Sequence, residues 1–219
     1  TTGTLQNLSL NLNAGSLAIN GTSNKILNNV FVNNGEIAVQ NNSQLRLDNT
    51  ITLNNSTISL NATDISAARV GVNTLNAITT ISGTGNINFN CTSSFNAFDA
   101  NVFLSGTSFN IGSGITVGGV TGGYLDVGAA GRFVGTIRTD SNTADFNLLG
   151  IYGNTGGTLT VNTSAGGKIA MQDAQITGGA LGITGTLSVD SQANNVLNGV
   201  TINGGEVAVL NNSRLRLYN

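Results

Sequence analysis

The chain has 219 residues, a formal net charge of −2 and only 8% charged residues, with 30 glycines and no proline, histidine or tryptophan. That balance leaves no basic surface for nucleic acid or anionic membrane, and no run of about 18 apolar residues is present to insert into a bilayer. Hydrophobic residues reach 39%, enough to build a core and unlike a disordered low-complexity tract.

From the N-terminus, no charged-then-apolar segment opens the chain, as expected of a mature or excised piece of a longer protein. An eight-residue frame (apolar, Asn, small, small, any, apolar, any, apolar) then occurs at Leu12–Ile19 (LNAGSLAI), Val32–Val39 (VNNGEIAV) and Leu53–Leu60 (LNNSTISL), in evenly spaced copies. Alternate residues Leu17/Ile19, Ile37/Val39 and Ile58/Leu60 point to one side of a strand, and Ala18, Ala38 and Ser59 to the other. The Asn-Ala-Gly, Asn-Asn-Gly and Asn-Asn-Ser triplets before them tolerate left-handed backbone and make corners. Leu45/Leu47, Ile51/Leu53, Leu159/Val161 and Leu215/Leu217 repeat the alternation. Strands of three to five residues between such corners are too short for a sandwich, whose strands average about five or six. The predicted fold is all-β: one continuous single-stranded parallel β-solenoid over 1–219, with roughly ten rungs of about 20–22 residues. Its hand is the right-handed default of parallel crossover connections.

The middle, 62–157, is less regular. Phenylalanines at 89, 95, 98, 103, 109, 133 and 146 are expected to fill a wider core there. The lone Cys91 excludes an internal disulfide and a cysteine-based zinc site, and reads as a small residue on a strand. Gly118-Gly119 and Gly122-Gly123-Tyr124-Leu125-Asp126 show one incomplete version of a calcium-binding nonapeptide, where calcium rolls stack several; no metal or cofactor is expected. Thr158-Leu159-Thr160 stands alone, without the columns of an ice-binding face. Asn-x-Ser/Thr triplets such as those at Asn7, Asn54 and Asn162 arise by chance in a chain this rich in Asn, Ser and Thr.

A longer repeat encloses the frame. Residues 24–49 (NKILNNVFVNNGEIAVQNNSQLRLDN) align without a gap to residues 194–219 (NNVLNGVTINGGEVAVLNNSRLRLYN) at an offset of 170, with 16 identities in 26 positions. Segment 1–49 is thus a near-copy of 171–219, and the chain holds about 1.3 units of something periodic. Two arrangements follow: tandem repetition in one long polypeptide, or end-to-end stacking of separate subunits through open terminal rungs.

The stretch Thr201-Ile202-Asn203-Gly204-Gly205-Glu206-Val207-Ala208-Val209 resembles the autotransporter-associated β-strand repeat, of the form T-x-I-x-G-G-x-L-x-L. Ile176–Ile183 and Gly156-Gly157-Thr158-Leu159-Thr160-Val161 are similar to it. In Val32–Val39 and Leu53–Leu60, Asn replaces the first glycine. Filamentous haemagglutinin-like bacterial surface proteins share the architecture and the composition. The resemblance implies an extracellular or cell-surface protein, exported unfolded: a fibre, stalk or filament, or else an adhesin or autotransporter passenger binding a surface glycan or protein.

A polysaccharide-processing β-helix enzyme is the third reading, and no enzyme is expected. Such enzymes need clustered carboxylates with basic neighbours. Asp126, Arg132, Arg138, Asp140 and Asp145 form the stretch to inspect, with solvated corner residues as the plainer account. Glu36 and Glu206 share one repeat position, and Arg46 and Arg216 another, further along the same rung. They are candidates for ion pairs that fix register, of about 0–1 kcal/mol each if exposed.

Overall fold

Asparagine makes the corners. Among the described residues nine non-glycine residues have positive φ, and seven of these are asparagines: Asn7, Asn13, Asn29, Asn34, Asn49, Asn55 and Asn212, with Ala14 and Asp173 the other two. Asparagine tolerates left-handed backbone because its short amide hydrogen-bonds nearby. Here the amides also bond between coils. Asn29 Nδ2 donates to Asn7 Oδ1 (3.1 Å), Asn49 to Asn28 (2.9 Å), Asn54 to Asn33 (2.7 Å) and Asn55 to Asn34 (3.2 Å). In the first three coils, corners bent by asparagine are therefore tied by their amides to the corner of the neighbouring coil.

The computed structural model describes residues 3–21, 25–40, 43–61, 68–72, 79–89, 109–119, 124–127, 131–191 and 194–219. Cys91, Phe95, Phe98, Phe103 and Gly122-Gly123 lie outside them. The described elements are all strands: β1 (Gly3–Ile19), β2 (Lys25–Gln40), β3 (Ser43–Asn61), β4 (Ala68–Val72), β5 (Thr79–Phe89), β6 (Phe109–Ile111), β7 (Ile115–Gly119), β8 (Tyr124–Val127), β9 (Gly131–Phe133) and β10 (Thr136–Thr139). They continue as β11 (Asp145–Gly153), β12 (Thr158–Asn162), β13 (Lys168–Thr177), β14 (Ala180–Thr184), β15 (Thr186–Val189), β16 (Asn195–Asn198), β17 (Thr201–Asn203), β18 (Glu206–Val209) and β19 (Leu215–Tyr218). Neighbouring coils pair in parallel throughout, as in β1 with β2, β2 with β3 and β16 with β19. The expected β-solenoid is the fold.

Two details differ from the sequence reading. β1, β2 and β3 run for 17, 16 and 19 residues, because ladder pairing resumes on both sides of each corner. Their registers shift at the corners, between Asn11 and Gly15 in β1 and between Asn28 and Val30 in β2. Leu10 rather than Leu12 therefore pairs with Val32, and Leu12, Asn13 and Ala14 form a wider corner opposite Asn34. Ala38 and Ser59, expected outside, are buried at 4% and 2% exposure. Small side chains inside a ladder are shielded by the coils above and below.

The coils number about ten, as expected, for β1, β2, β3, β5, β6, β9, β11, β13, β16 and β19 pair in succession along one face. On another face the Cα partners run Leu17, Ile37, Ile58, Ile87, Val117, Ile137, Val161, Ile183, which is seven steps, and β14 carries the ladder on to β17. The steps from Ile58 to Ile87 and from Ile87 to Val117 take up the most sequence. Inside, Ile37, Val39, Leu53, Ile58, Val117, Ile137, Leu159, Val161 and Leu181 are fully buried, as the alternation predicts. Phe133, Phe146 and Tyr152 fill the core of the later coils. Tyr152 is satisfied there because its hydroxyl donates to Leu149 O (2.6 Å).

Three ladders make up each coil, and they reveal how the long repeat is laid down. The register of β2 on β3, Lys25 with Leu45 through Asn28 with Asp48, recurs one repeat later as Asn195 with Leu215 through Asn198 with Tyr218. Gly15 to Ile19 on Gly35 to Val39 likewise recurs in Thr186 to Val189 on Glu206 to Val209. Yet the ladders themselves have moved. That of Thr79, Phe109, Gly131, Tyr152, Ile176, Leu197 continues the β3 face of Ile51, whereas Leu27, the counterpart of Leu197, lies one strand earlier on the face of Leu5 and Leu47. Leu181 and Ile202 in the same way continue the face of Ile37, although Val32, the counterpart of Ile202, precedes Ile37 by one strand. One repeat therefore advances seven turns plus one strand.

Candidate functional site

Of the five residues singled out as a polar stretch, four fall on three ladders and Asp140 lies in the bend after β10. Asp126 and Asp145 share one, where Tyr124 pairs with Asp145 and Asp126 with Asn147. Arg138 lies on the ladder of β7, β10 and β12, and exposed Arg132 on that of β6 and β9. Each coil sends close sequence neighbours to different faces, so the stretch is divided among faces. Arg138 is instead held by Asp140, with Nε donating to Oδ1 at 2.5 Å and Nη2 to Oδ2 at 3.1 Å across a single intervening residue.

Asp145 gains a different company. Its Cα partner on the next coil is Lys168, whose ammonium pairs with Asp190 on the coil after that. Burial raises the Asp145 carboxyl above the ordinary aspartate range; the Lys168 charge opposes this and the Asp190 charge adds to it. Its Oδ1 is buried without a hydrogen-bond partner. The line Asp145, Lys168, Asp190 advances one coil at a time, so coil spacing was the signal that could have found it. A half-buried carboxyl beside an ion pair can hold a proton. Among the described residues no three His, Cys, Asp or Glu side chains gather as a metal site.

The repeat-position charges do not act as twins. Arg46 is gripped by Asp48, with Nε to Oδ1 and Nη2 to Oδ2 both at 2.9 Å, and the Asp48 side chain is only 6% exposed. At the equivalent place beside exposed Arg216 stands Tyr218. Glu206 accepts from Thr186 Oγ1 at 3.3 Å, a bond between adjacent coils. Glu36 lies on β2 at the matching register, opposite Ser16 and Thr57.

Two surface features stand out from the ladders. An open polar groove of about 750 Å³ follows the corner of the first three coils, lined by Asn13, Asn34 and Asn55 with Ser16, Glu36 and Thr57 beside them. The other is the C-terminal end. Val32, Val39 and Leu47 are fully buried, whereas their counterparts Ile202, Val209 and Leu217 are 45%, 50% and 67% exposed. Residue type and register are alike, so the difference lies in what covers them: β3 and β4 lie over the first set, and no described strand lies over the second. The chain matches no protein-family model, no curated protein and no solved structure.

Proposed function

We propose that this chain is a structural element of an extracellular fibre, stalk or filament on a bacterial cell surface, built by repetition of the long solenoid unit. The observation that carries the reading is the recurrence of one register, residue for residue, in the two copies of the repeat. A solenoid contacts only its neighbouring coils, so a unit that recurs in register extends a rod without a new kind of contact. The surface location and the bacterial source rest on the resemblance of Thr201–Val209 to the autotransporter-associated repeat. Electron microscopy of the native material, averaged along its fibres, tests the proposal. Layers about 4.8 Å apart and an axial repeat of about 35 Å, for seven turns and one strand, are expected. Native material consisting only of isolated particles would overturn it.

The groove beside Asn13, Asn34 and Asn55 favours a second reading, an adhesin that binds a glycan. Its amides, hydroxyls and carboxylate suit sugar hydroxyls as hydrogen-bond partners. Glycan-array binding that Glu36→Gln weakens would support it, and an array without signal would remove it.

A further inference from the structure

We infer that the polar groove on the first three coils takes an uncharged, unbranched β-1,4-linked polysaccharide, lying along the stack with one sugar to each coil. The inference rests on the second reading above, in which the groove receives a glycan, and names the class of glycan.

The groove is built from one unit repeated. Ser16, Glu36 and Thr57 are successive Cα partners in the ladder of β1, β2 and β3, and Asn13, Asn34 and Asn55 stand at the corner before them. Each coil therefore adds one corner amide and one hydroxyl or carboxylate, at steps of about 4.8 Å. That step is close to the advance of one sugar in an extended β-1,4-linked chain. Such a chain runs straight, whereas an α-1,4-linked chain curls and would leave the line of coils. The groove volume of about 750 Å³ exceeds what a single sugar ring fills.

Charge and chemistry select the sugar. Glu36 is the one charged side chain among the described residues lining the groove, so an acidic polysaccharide is repelled, while sugar hydroxyls donate to its carboxylate. Those residues include no aromatic ring, so binding comes from hydrogen bonds rather than stacking, and affinity has to be gathered over several sugars. Asn55 Nδ2 already donates to Asn34 Oδ1 at 3.2 Å, which holds these amides in place and reduces the ordering that binding requires.

The same face extends the line beyond the groove. From Thr57 the Cα partners run to Asn86, Thr116, Thr136 and Thr160, one coil at a time. Thr116, Thr136 and Thr160 are half-buried, so each keeps part of its side chain at the surface. The Thr158-Leu159-Thr160 stretch, isolated in the sequence, thereby joins a column that begins in the groove. A polysaccharide longer than the groove continues over these threonines, whose hydroxyls both donate and accept.

Titration calorimetry of the full chain with cello-oligosaccharides of increasing length is the test, with maltohexaose as the α-linked comparison. Affinity should rise with length, and cellohexaose should bind at least about tenfold tighter than either cellobiose or maltohexaose. Thr116→Tyr, whose ring stands on the column past the groove, should lower the affinity for cellohexaose toward that for cellotriose and leave cellotriose unchanged, with circular dichroism verifying its fold. Cellohexaose that binds no tighter than cellobiose, or maltohexaose that binds as tightly as cellohexaose, would overturn the inference. So would a folded Thr116→Tyr chain that binds cellohexaose as the wild type does. The length and linkage series uses the wild-type chain and decides even if the variant does not fold. If the series fails while a glycan array still gives signal, the adhesin reading stands without this inference; an array without signal removes both.

Discussion

At the scale of single residues, stability turns on the corners and on one buried carboxyl. Asn34 sits at φ 50° and accepts the amide of Asn55 at 3.2 Å. Alanine there keeps the strained backbone and loses the bond, which should cost about 1–3 kcal/mol in urea denaturation. Asn34→Gly should cost clearly less, since its counterpart in the second repeat is Gly204 at φ 74°. Glycine has the opposite importance at Gly179, also left-handed at φ 67°, where an added Cβ would lie 2.0 Å from Asn154 O. Asp145 makes a pH-dependent prediction. Its carboxyl is raised in the folded state, chiefly by burial, so folding takes up protons at this group and stability falls as pH rises from the ordinary aspartate value through the raised one. Asp145→Asn should raise the melting temperature at neutral pH, and the gain should vanish below the ordinary aspartate value. A gain that persists unchanged in acid would contradict burial of the charge as its cause.

At the scale of strands, position in the stack outweighs residue type. Val39 and Val209 occupy the same repeat position with the same register, yet one is fully buried and the other half-exposed. Val39→Ala should cost about 2 kcal/mol in the isolated chain, and Val209→Ala under about 1 kcal/mol, measured by denaturant unfolding. In assembled fibres the two costs should converge as the terminal coil becomes covered. The corner ladders follow the same logic, because Asn28, Asn33 and Asn34 each bond to an asparagine one coil away and need that coil in place.

At the scale of the whole molecule, parallel coils confine interactions to nearest neighbours, so protection should be graded along the stack. In the monomer, amides of β17 to β19 should exchange fastest among the C-terminal strands, and those of β11 to β13, covered on both sides, slowest. Hydrogen exchange resolved by peptide reads this directly; uniform protection from Asp145 to Tyr218 would instead indicate one cooperative unit. The advance of seven turns and one strand per repeat also means that equivalent surface positions do not line up along a rod. They step around it one strand per repeat, so a polar groove like that at Asn13, Asn34 and Asn55 would face each side in turn.

The sequence by itself determined the strand alternation, the corner chemistry and the existence of the repeat. These are local consequences of residue type: Ile37 and Val39 must share a side, and Asn34 tolerates a bend that few residues accept. Through them it determined the fold class as well. It did not determine which coil residues meet. Leu12 aligned with Val32 in the written frame, yet Leu10 pairs with it, because a corner absorbs extra residues without disturbing the apolar pattern on either side. The middle coils, longer than those at either end, carry no periodic signal to count them by. The candidate polar stretch was legible as residue types only; coiling dispersed it and brought Lys168 and Asp190 to Asp145 instead. Arg46 met Asp48 rather than matching Arg216 as its twin, because Tyr218 stands where the second carboxylate would. Only the tertiary structure decided these matters, since ladder register, burial and the turn of one strand per repeat depend on how many residues each corner takes up, which side-chain chemistry leaves free.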